Sequence, residues 1–319
     1  MSPASTPKID LLRSRAEALA AARTFFQKRD VLEVDCNALV RAPPLDSNID
    51  VMSVAVTSQE TGYLHTSPEY AMKQLLSETA QDIYFLGHVY RQGEIGRRHN
   101  PEFTMAEWYR IGFSLSQMIE ETCDFIALFA GSLPKRTLSY RKAFEDYAGI
   151  DYSRDSIPAL YAAAKKHAIE LPANATFWDR DTFLSLFLTH VIEPKLGRQE
   201  LTILTDYPCN EAALACLIEK EGELVAERFE IYIDGLELAN GYHELADPVE
   251  LRERFAIKNQ KRLEAGKEPY ALDEDLLSSL DKEKFPPCCG VSVGFDRVLM
   301  LKHKLQTISE ILPSSWNSF

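Results

Sequence analysis

The chain has 319 residues, 45% of them hydrophobic and 26% charged, the balance of a soluble globular protein long enough to bury a core without metals or disulfides. Its 48 Asp and Glu outnumber 35 Lys and Arg, giving a formal charge of −13. That excess speaks against a protein built to grip nucleic acid, because phosphate-backbone affinity comes from clustered cations. Arg97-Arg98-His99 is the best candidate for a local basic patch.

Residues 1–8 read as a disordered Ser/Pro/Thr tail. From Ile9 to Asp30, Leu12, Ala16, Leu19, Ala22 and Phe26 recur at three- and four-residue steps, the period of an amphipathic helix. Val31–Val34 reads as a short strand and Arg41-Ala-Pro-Pro-Leu45 as an irregular loop. Strands are expected at Val51–Val56 and Tyr63–Thr66, around a polar turn ending in Gly62. Thr66-Ser-Pro-Glu69 opens a helix to about Ser77, with a hydroxyl cap, Pro in the first turn and a carboxylate at the positive helix end. Ile83–Arg91 and Phe103–Ile111 are apolar-aromatic strands joined by the polar loop Gln92–Glu102.

Helices follow at Ser116–Phe129, Ser139–Tyr147, Ile157–His167 and Arg180–Leu196. Strands return at Leu201–Asp206, Ala226–Ile233, Leu236–Tyr242 and Gly290–Gly294, with helices at Val249–Ala265, Glu274–Leu280 and from Phe295. Hairpins and helical blocks in place of βαβ alternation indicate an α+β fold with an antiparallel sheet. Without GxGxxG or GxxxxGK[ST], neither a dinucleotide fold nor a P-loop is expected. The six cysteines show no CxxC pair and no ligand spacing with the seven histidines, so a reduced cytoplasmic chain without structural zinc is expected. No apolar run approaches the ~18 residues of a membrane span, and the first ten residues lack a secretory pattern.

Three stretches carry chemistry. In Glu227 to Glu244, Asp234-Gly235 is a two-residue hairpin turn. Simple alternation then faces Tyr232 with Glu237 and Glu230 with Ala239, placing Glu230 and Glu237 on one face as diagonal neighbours. Two carboxylates so close call for a cation between them. Mg²⁺ held with substrate phosphates answers that, as does exposure to water or pairing with Arg228. Asn240, Tyr242 and Glu244 join that face only if the strand bulges near Ala239–Gly241. In Val89 to Tyr109, Arg91 ends a strand before a loop with two glycines and further arginines, which describes either a triphosphate cradle or a plain basic hairpin. Gly290 to Leu301 is a small-residue strand delivering Arg297 to the start of a helix, suited to close ligand approach or to simple packing.

Together and in this order, these stretches resemble the class II aminoacyl-tRNA synthetases, specifically the lysyl branch. Phe25-Phe-Gln-Lys-Arg-Asp-Val-Leu-Glu-Val lies in a motif 1 region (about residues 12–39), His99-Asn-Pro-Glu-Phe-Thr-Met-Ala-Glu-Trp-Tyr109 in motif 2 (about 83–111), and Gly290 to Arg297 in motif 3 (about 290–301). Thr66-Ser-Pro-Glu-Tyr70 and Glu237-Leu-Ala-Asn-Gly-Tyr-His-Glu-Leu245 are specific at the family level. Only some two dozen residues precede motif 1, so no anticodon-binding domain is expected, and residues 9–319 read as one catalytic domain. A stand-alone core of this kind resembles the elongation factor P–lysine ligases, which activate lysine, preferably (R)-β-lysine, with ATP and transfer it to a lysine of elongation factor P.

The resemblance implies an antiparallel sheet of six to seven strands flanked by helices, and a homodimer formed through motif 1. Arg91 and Arg297 would be the catalytic, phosphate-binding arginines, with Phe103 and Arg297 sandwiching adenine. Gln92, Gly93, Glu94, Asn100, Leu238 and Gly294 would lie along ATP, and Glu230 and Glu237 would carry Mg²⁺. Ser67, Pro68, Glu69, Glu107, Tyr109, Asn240, Glu244 and Ser292 would form the amino-acid pocket. Independently, a substrate with two ammonium groups needs several carboxylates, and Glu69, Glu107 and Glu244 supply three. Departures from the family pattern are Asn37 in place of Pro, Gly93 in place of the Glu of Arg-x-Glu with the acid next at Glu94, Asp296 in place of Glu, and Ser292 in place of Gly. Ser292 reshapes the pocket in favour of the ligase over charging with α-lysine. The competing expectations are a truncated synthetase acylating an RNA, which the charge of −13 opposes, and a non-catalytic regulatory paralogue.

Overall fold

The computed structural model describes residues 6–44, 49–281 and 283–316. Most of the expected tail, residues 1–5, and Leu45 of the expected loop lie outside them. The first elements are α1 (Lys8–Gln27), β1 (Leu32–Glu33), β2 (Leu39–Val40), β3 (Met52–Ala55), β4 (Thr61–Leu64), α2 (Glu69–Thr79), β5 (Ile83–Tyr90), β6 (Glu102–Ile111) and α3 (Leu115–Ala130). There follow β7 (Lys135–Ser139), α4 (Tyr140–Ala143), α5 (Ile157–Lys166), α6 (Arg180–Phe187), β8 (Leu201–Pro208), β9 (Leu217–Lys220), β10 (Glu223–Ile233) and β11 (Leu236–His243). The chain ends with α7 (Pro248–Glu264), α8 (Glu274–Ser279), β12 (Cys288–Gly294), α9 (Phe295–Lys302) and α10 (Ile308–Ile311). It forms two compact units, one running up to Gly131 and again from His243, the other from Ser132 to Tyr242.

In the first unit, β5 and β6 pair antiparallel, β6 pairs antiparallel with β12, and β1 lies parallel to β5. A smaller three-stranded sheet has the order β2-β4-β3. Alternation gives β6 two faces. On one, Trp108 meets Phe26 and Phe125 at 5.2 Å each, and Phe26 stacks on Tyr84 at 4.1 Å, so α1 and α3 cover an aromatic core. On the other, Glu107 stands opposite Ser292 and Tyr109 opposite Gly290, leaving a polar floor.

Helix α1 is turned by about one residue from the expected face: Leu11, Arg15, Ala18, Ala22, Phe25 and Phe26 are buried, and Leu12 and Ala16 are not. The reason is Arg15. Its guanidinium donates to Asp296 and, at 2.6 Å, to Thr104 Oγ1, while the Thr104 N–H donates to Asp296 Oδ2 at 2.7 Å. One residue from each of the three motifs is thereby locked in a buried knot, so Asp296 is a structural anchor at the start of α9.

In the second unit, β8, β10 and β11 are antiparallel, β9 pairs with β10, and β7 lies parallel to β8. Tyr140, Phe144, Phe183, Phe187, Leu204 and Tyr232 fill its core. The expected helix at 180–196 is broken: α6 ends at Phe187, one wide turn spans Leu188–Ile192 and a tight one Glu193–Lys195, where Pro194 cannot continue an α-helix. The short strands β2, β7 and β9 carry no sequence alternation long enough to be read, and the turn expected to end at Gly62 closes at Glu60, where the Val56 N–H donates to the Glu60 carbonyl, so that Thr61 and Gly62 belong to β4.

Candidate functional site

The first unit gathers a buried acidic pocket. Ser67 turns the chain into α2: its hydroxyl accepts the Glu69 N–H at 3.0 Å and donates to Glu107 at 2.8 and 3.1 Å. Pro68 sits at the cap position, so the helix begins one residue later than expected and brings Glu69 to its first turn. Tyr109, two residues along β6 and so on the same face, donates to Glu107 Oε1 at 3.1 Å. Glu244 belongs to the same pocket: a Cβ on Gly290 would lie 2.3 Å from its Oε1 and 2.4 Å from the Tyr109 ring, so only glycine fits there. Ser292 faces Glu107 across the strand pair.

Three of the expected carboxylates, Glu69, Glu107 and Glu244, are thus brought together. Sequence reasoning missed their companion, Lys73. Its buried ammonium lies 2.8 Å from Glu69 Oε1 and 2.6 Å from Glu244 Oε2. Burial alone would lower the lysine's pKa, but Glu244 and Glu69 outweigh it and the group is held firmly charged. Glu107, by contrast, forms no ion pair among the described residues and is 3% exposed. Burial, reinforced by Glu69, pushes its carboxyl up to about 8, against the hydrogen bonds from Ser67 and Tyr109. Burial likewise raises Glu244 to about 7, with Lys73 opposing the rise. Cys36, whose thiol burial and then Glu107 push up to about 12, is not a nucleophile at neutral pH.

Beside this floor the loop between β5 and β6 holds cations. The Arg91 guanidinium lies 5.1 Å from the Phe103 ring centroid and 3.7 Å from Glu94, and its Nε is buried without a hydrogen-bond partner among the described residues. Gln92 is tied by its N–H to the Asp50 carbonyl at 2.9 Å. Gly93 has φ +77°, a conformation open to glycine and strained for a glutamate, which fits the acid standing next, at Glu94. Asn100 fixes the loop, donating to the Glu102 carbonyl at 2.6 Å and accepting the Trp316 N–H at 3.1 Å. Gly294 caps α9, and Arg297 in its first turn donates to His99 Nε2 at 2.7 Å. Burial, then Arg297, lowers the histidine's pKa and leaves a neutral acceptor. Phe103 therefore meets Arg91, while Arg297 is held by His99.

The second unit carries Glu230, Glu237, Leu238 and Asn240. The Asp234-Gly235 turn has φ +49° and +69°, as a tight hairpin of the expected type requires. Tyr232 faces Glu237, but Glu230 faces Asn240, and Ala239 faces Ile231. The bulge comes at Leu238, one step before the expected place. It swings Asn240 and Tyr242 onto the face of Glu230: Arg228 donates to Asn240 Oδ1 at 3.3 Å, and Asn240 Nδ2 to the Tyr242 hydroxyl at 3.0 Å. Both Glu230 oxygens are engaged, one by Arg228 at 2.5 Å and the other by the Tyr232 hydroxyl. Among the described residues no group of three or more His, Cys, Asp or Glu side chains stands ready to cage a metal.

The model of the class II tRNA synthetases specific for Asp, Lys and Asn (D, K and N) matches residues 6–315. The elongation factor P–(R)-β-lysine ligase of Avibacterium paragallinarum is 38% identical over 315 residues, 97% of this chain and 96% of that protein. The proteins of the same name from Vibrio parahaemolyticus and Vibrio atlanticus are 38% and 39% identical, over 93% and 94% of this chain and 92% and 93% of theirs. With a catalytic core matched almost end to end, the chain belongs to the class II tRNA synthetases and, within them, to the family of the elongation factor P–(R)-β-lysine ligases.

Proposed function

We propose that the chain activates lysine, and (R)-β-lysine in preference, as an aminoacyl-adenylate with ATP and transfers it to a lysine side chain of elongation factor P. The observation that carries the reading is the pocket of Glu69, Glu107 and Glu244, three carboxyl groups around one buried ammonium, which asks for a ligand with more than one ammonium group. Glu107, on hydroxyls alone, is the group an arriving ammonium would ionise. Asn240 and Ser292 are proposed as further contacts to the amino acid.

The amino-acid carboxylate would attack the α-phosphorus, forming a P–O bond as the bond to pyrophosphate breaks. Arg91, whose Nε has no hydrogen-bond partner among the described residues, would take the charge that spreads over the phosphate oxygens, and Arg297 would hold the distal phosphates. The Phe103 ring, with Gln92, Gly93, Glu94, Leu238 and Gly294, would receive the nucleotide. The acceptor amine would then attack the adenylate carbonyl, and AMP would leave. No side-chain nucleophile is required.

Mg²⁺, when bound, neutralises phosphate charge, and a site completed by substrate phosphates needs only one or two carboxylates. In the second unit Glu237 fits that donor set and would hold the ion, whereas Glu230, expected as its companion, has both oxygens engaged by Arg228 and Tyr232. No helix among the described residues is long and apolar enough to cross a membrane, in keeping with the cytoplasmic enzyme proposed here. The exposed Leu32 and Leu39, at the end of the motif 1 region, support a homodimer through it.

The test is the intact mass of elongation factor P after incubation with this protein, ATP, Mg²⁺ and either α-lysine or (R)-β-lysine. A gain of one lysyl residue is expected, larger with the β-isomer and lost in Glu237→Ala. Lysine-dependent pyrophosphate exchange without that gain would point to another acceptor. The absence of both exchange and gain would sink the reading.

A further inference from the structure

Resting on that diamino-acid reading, we propose that Lys73 is a positioning residue that sets the charge of the pocket and thereby its affinity for the amino acid, holding Glu69 and Glu244 in place while leaving Glu107 for the ligand. A lysine four residues after a glutamate usually marks an exposed helix pair of little consequence. Here the side chain is only 1% exposed and spans Glu69 on its own helix and Glu244 from a distant part of the chain. Burying an ammonium is costly unless it is paired on several sides, so an interior lysine at this point needs a reason.

The charge count supplies one. Once a bound cation has ionised all three, three carboxylates against one internal ammonium leave a surplus of two negative charges, the number of ammonium groups on a diamino acid. Lys73 is chemically the same group as the ligand's side-chain ammonium, and it satisfies the two carboxylates that would otherwise compete with Glu107 for it. The titratable neighbours are Glu69 on α2, Glu107 and Tyr109 on β6, Glu244, Cys36 near Glu107 and Cys288 near Tyr109. None of these is a second cation. Loss of Lys73 would leave Glu244 with burial and Glu69 both favouring its protonated form, so the amino acid would meet one fewer ionised carboxylate at neutral pH, regained as pH rises.

The test is lysine-dependent ATP–pyrophosphate exchange by the full chain, with α-lysine and with (R)-β-lysine, across a range of pH. Lys73→Met is compared with wild type. Lys73→Gln, which removes the charge but keeps a donor, carries the test if the Met variant does not fold. The expected result is a rise of about tenfold or more in the amino-acid KM at neutral pH, the size of one pKa unit's worth of interaction. That rise should shrink toward alkaline pH, with the ATP KM and kcat changed by less than about threefold. An amino-acid KM within about twofold of wild type, or a loss confined to kcat and equal at every pH, would make Lys73 merely structural and overturn the proposal. Failure of the wild type to exchange with either lysine would instead overturn the diamino-acid reading, and the role of Lys73 with it.

Discussion

Both units bury a glutamate on a strand face beside a tyrosine hydroxyl, yet the two carboxylates are treated in opposite ways. In the second unit Glu230 is closed off by the chain itself. Arg228 donates to it at 2.5 Å, and that guanidinium is fixed in turn by the Glu211 carbonyl at 2.7 Å and lies 4.3 Å from the Tyr207 ring centroid. In the first unit Glu107 receives, among the described residues, only hydroxyls, from Ser67 and Tyr109, while the nearby cation, Lys73, pairs with Glu69 and Glu244. A buried carboxylate matched by an internal cation holds the fold together. One left to hydroxyls is poised for a cation from outside, and its carboxyl, raised to about 8, records the cost of waiting.

The largest effect follows from breaking the matched pair. Arg228→Met leaves the Glu230 carboxylate buried without its counter-charge and is expected to cost about 3–5 kcal/mol of stability, read as a fall in Tm or in the urea midpoint. Adding Glu230→Gln should recover most of that loss. If the single variant is as stable as wild type, the carboxylate is solvated and the contrast with Glu107 fails.

Glu107→Gln should do the reverse: little damage to folding, but about 2–5 kcal/mol lost in affinity for the amino acid, measured by calorimetry or as the KM in pyrophosphate exchange. Its effect on stability carries a sign. The folded carboxyl keeps its proton up to about 8, whereas the ordinary value is 4.5, so the unfolded chain releases the proton first and wild-type stability falls as pH rises through that window. The Gln variant lacks this contribution. It should match the wild type near pH 5 and exceed it near pH 9, and lysine should stabilise the wild type most at the alkaline end. A wild-type Tm unaffected by pH between those limits, in the Gln variant as well, would contradict the burial argument.

How much of this was legible beforehand depended on whether a feature was local. The hairpin turn, the α2 start at Ser67–Glu69 and the strands that lead to Arg91 and carry Glu107 follow from patterns within a dozen residues, whereas the grouping of Glu69, Glu107 and Glu244 in one pocket was legible only through the family resemblance. Lys73 did not stand out because Glu69/Lys73 at i,i+4 reads as a surface pair. The one available signal was its place between Met72 and Leu76 on a helix face that is buried. Arg15 was hidden in the same way, its burial decided by Asp296 some 281 residues away. The bulge at Leu238 left no trace either, since Leu fits a strand as well as a bulge, and the neighbouring Gly241 was the more obvious place for one. The knot of Arg15, Thr104 and Asp296 and the Lys73–Glu244 pair are long-range charge pairings, unlike Arg228 and Glu230, which stand two residues apart. A single sequence carries no local mark of them.

The finest discrimination comes from the two tyrosines. Tyr232→Phe deletes the hydroxyl that donates to Glu230, a carboxylate ion-paired with Arg228, and a hydrogen bond to a charged group is worth about 1.5–3 kcal/mol. Tyr109→Phe deletes the hydroxyl 3.1 Å from Glu107, whose carboxyl keeps its proton to about 8, so at neutral pH the bond lost is between neutral partners and worth about 0.5–1.5 kcal/mol. The two variants should therefore separate by denaturant melts at pH 7, with Tyr232→Phe the more damaging. Above pH 8 the difference should narrow, because Glu107 then ionises and its remaining donor, Ser67, must hold the charge alone. Equal losses at both pH values would mean that Glu107 is already ionised in the empty pocket, and the distinction between a carboxylate that closes the fold and one that awaits a ligand would have to be drawn elsewhere.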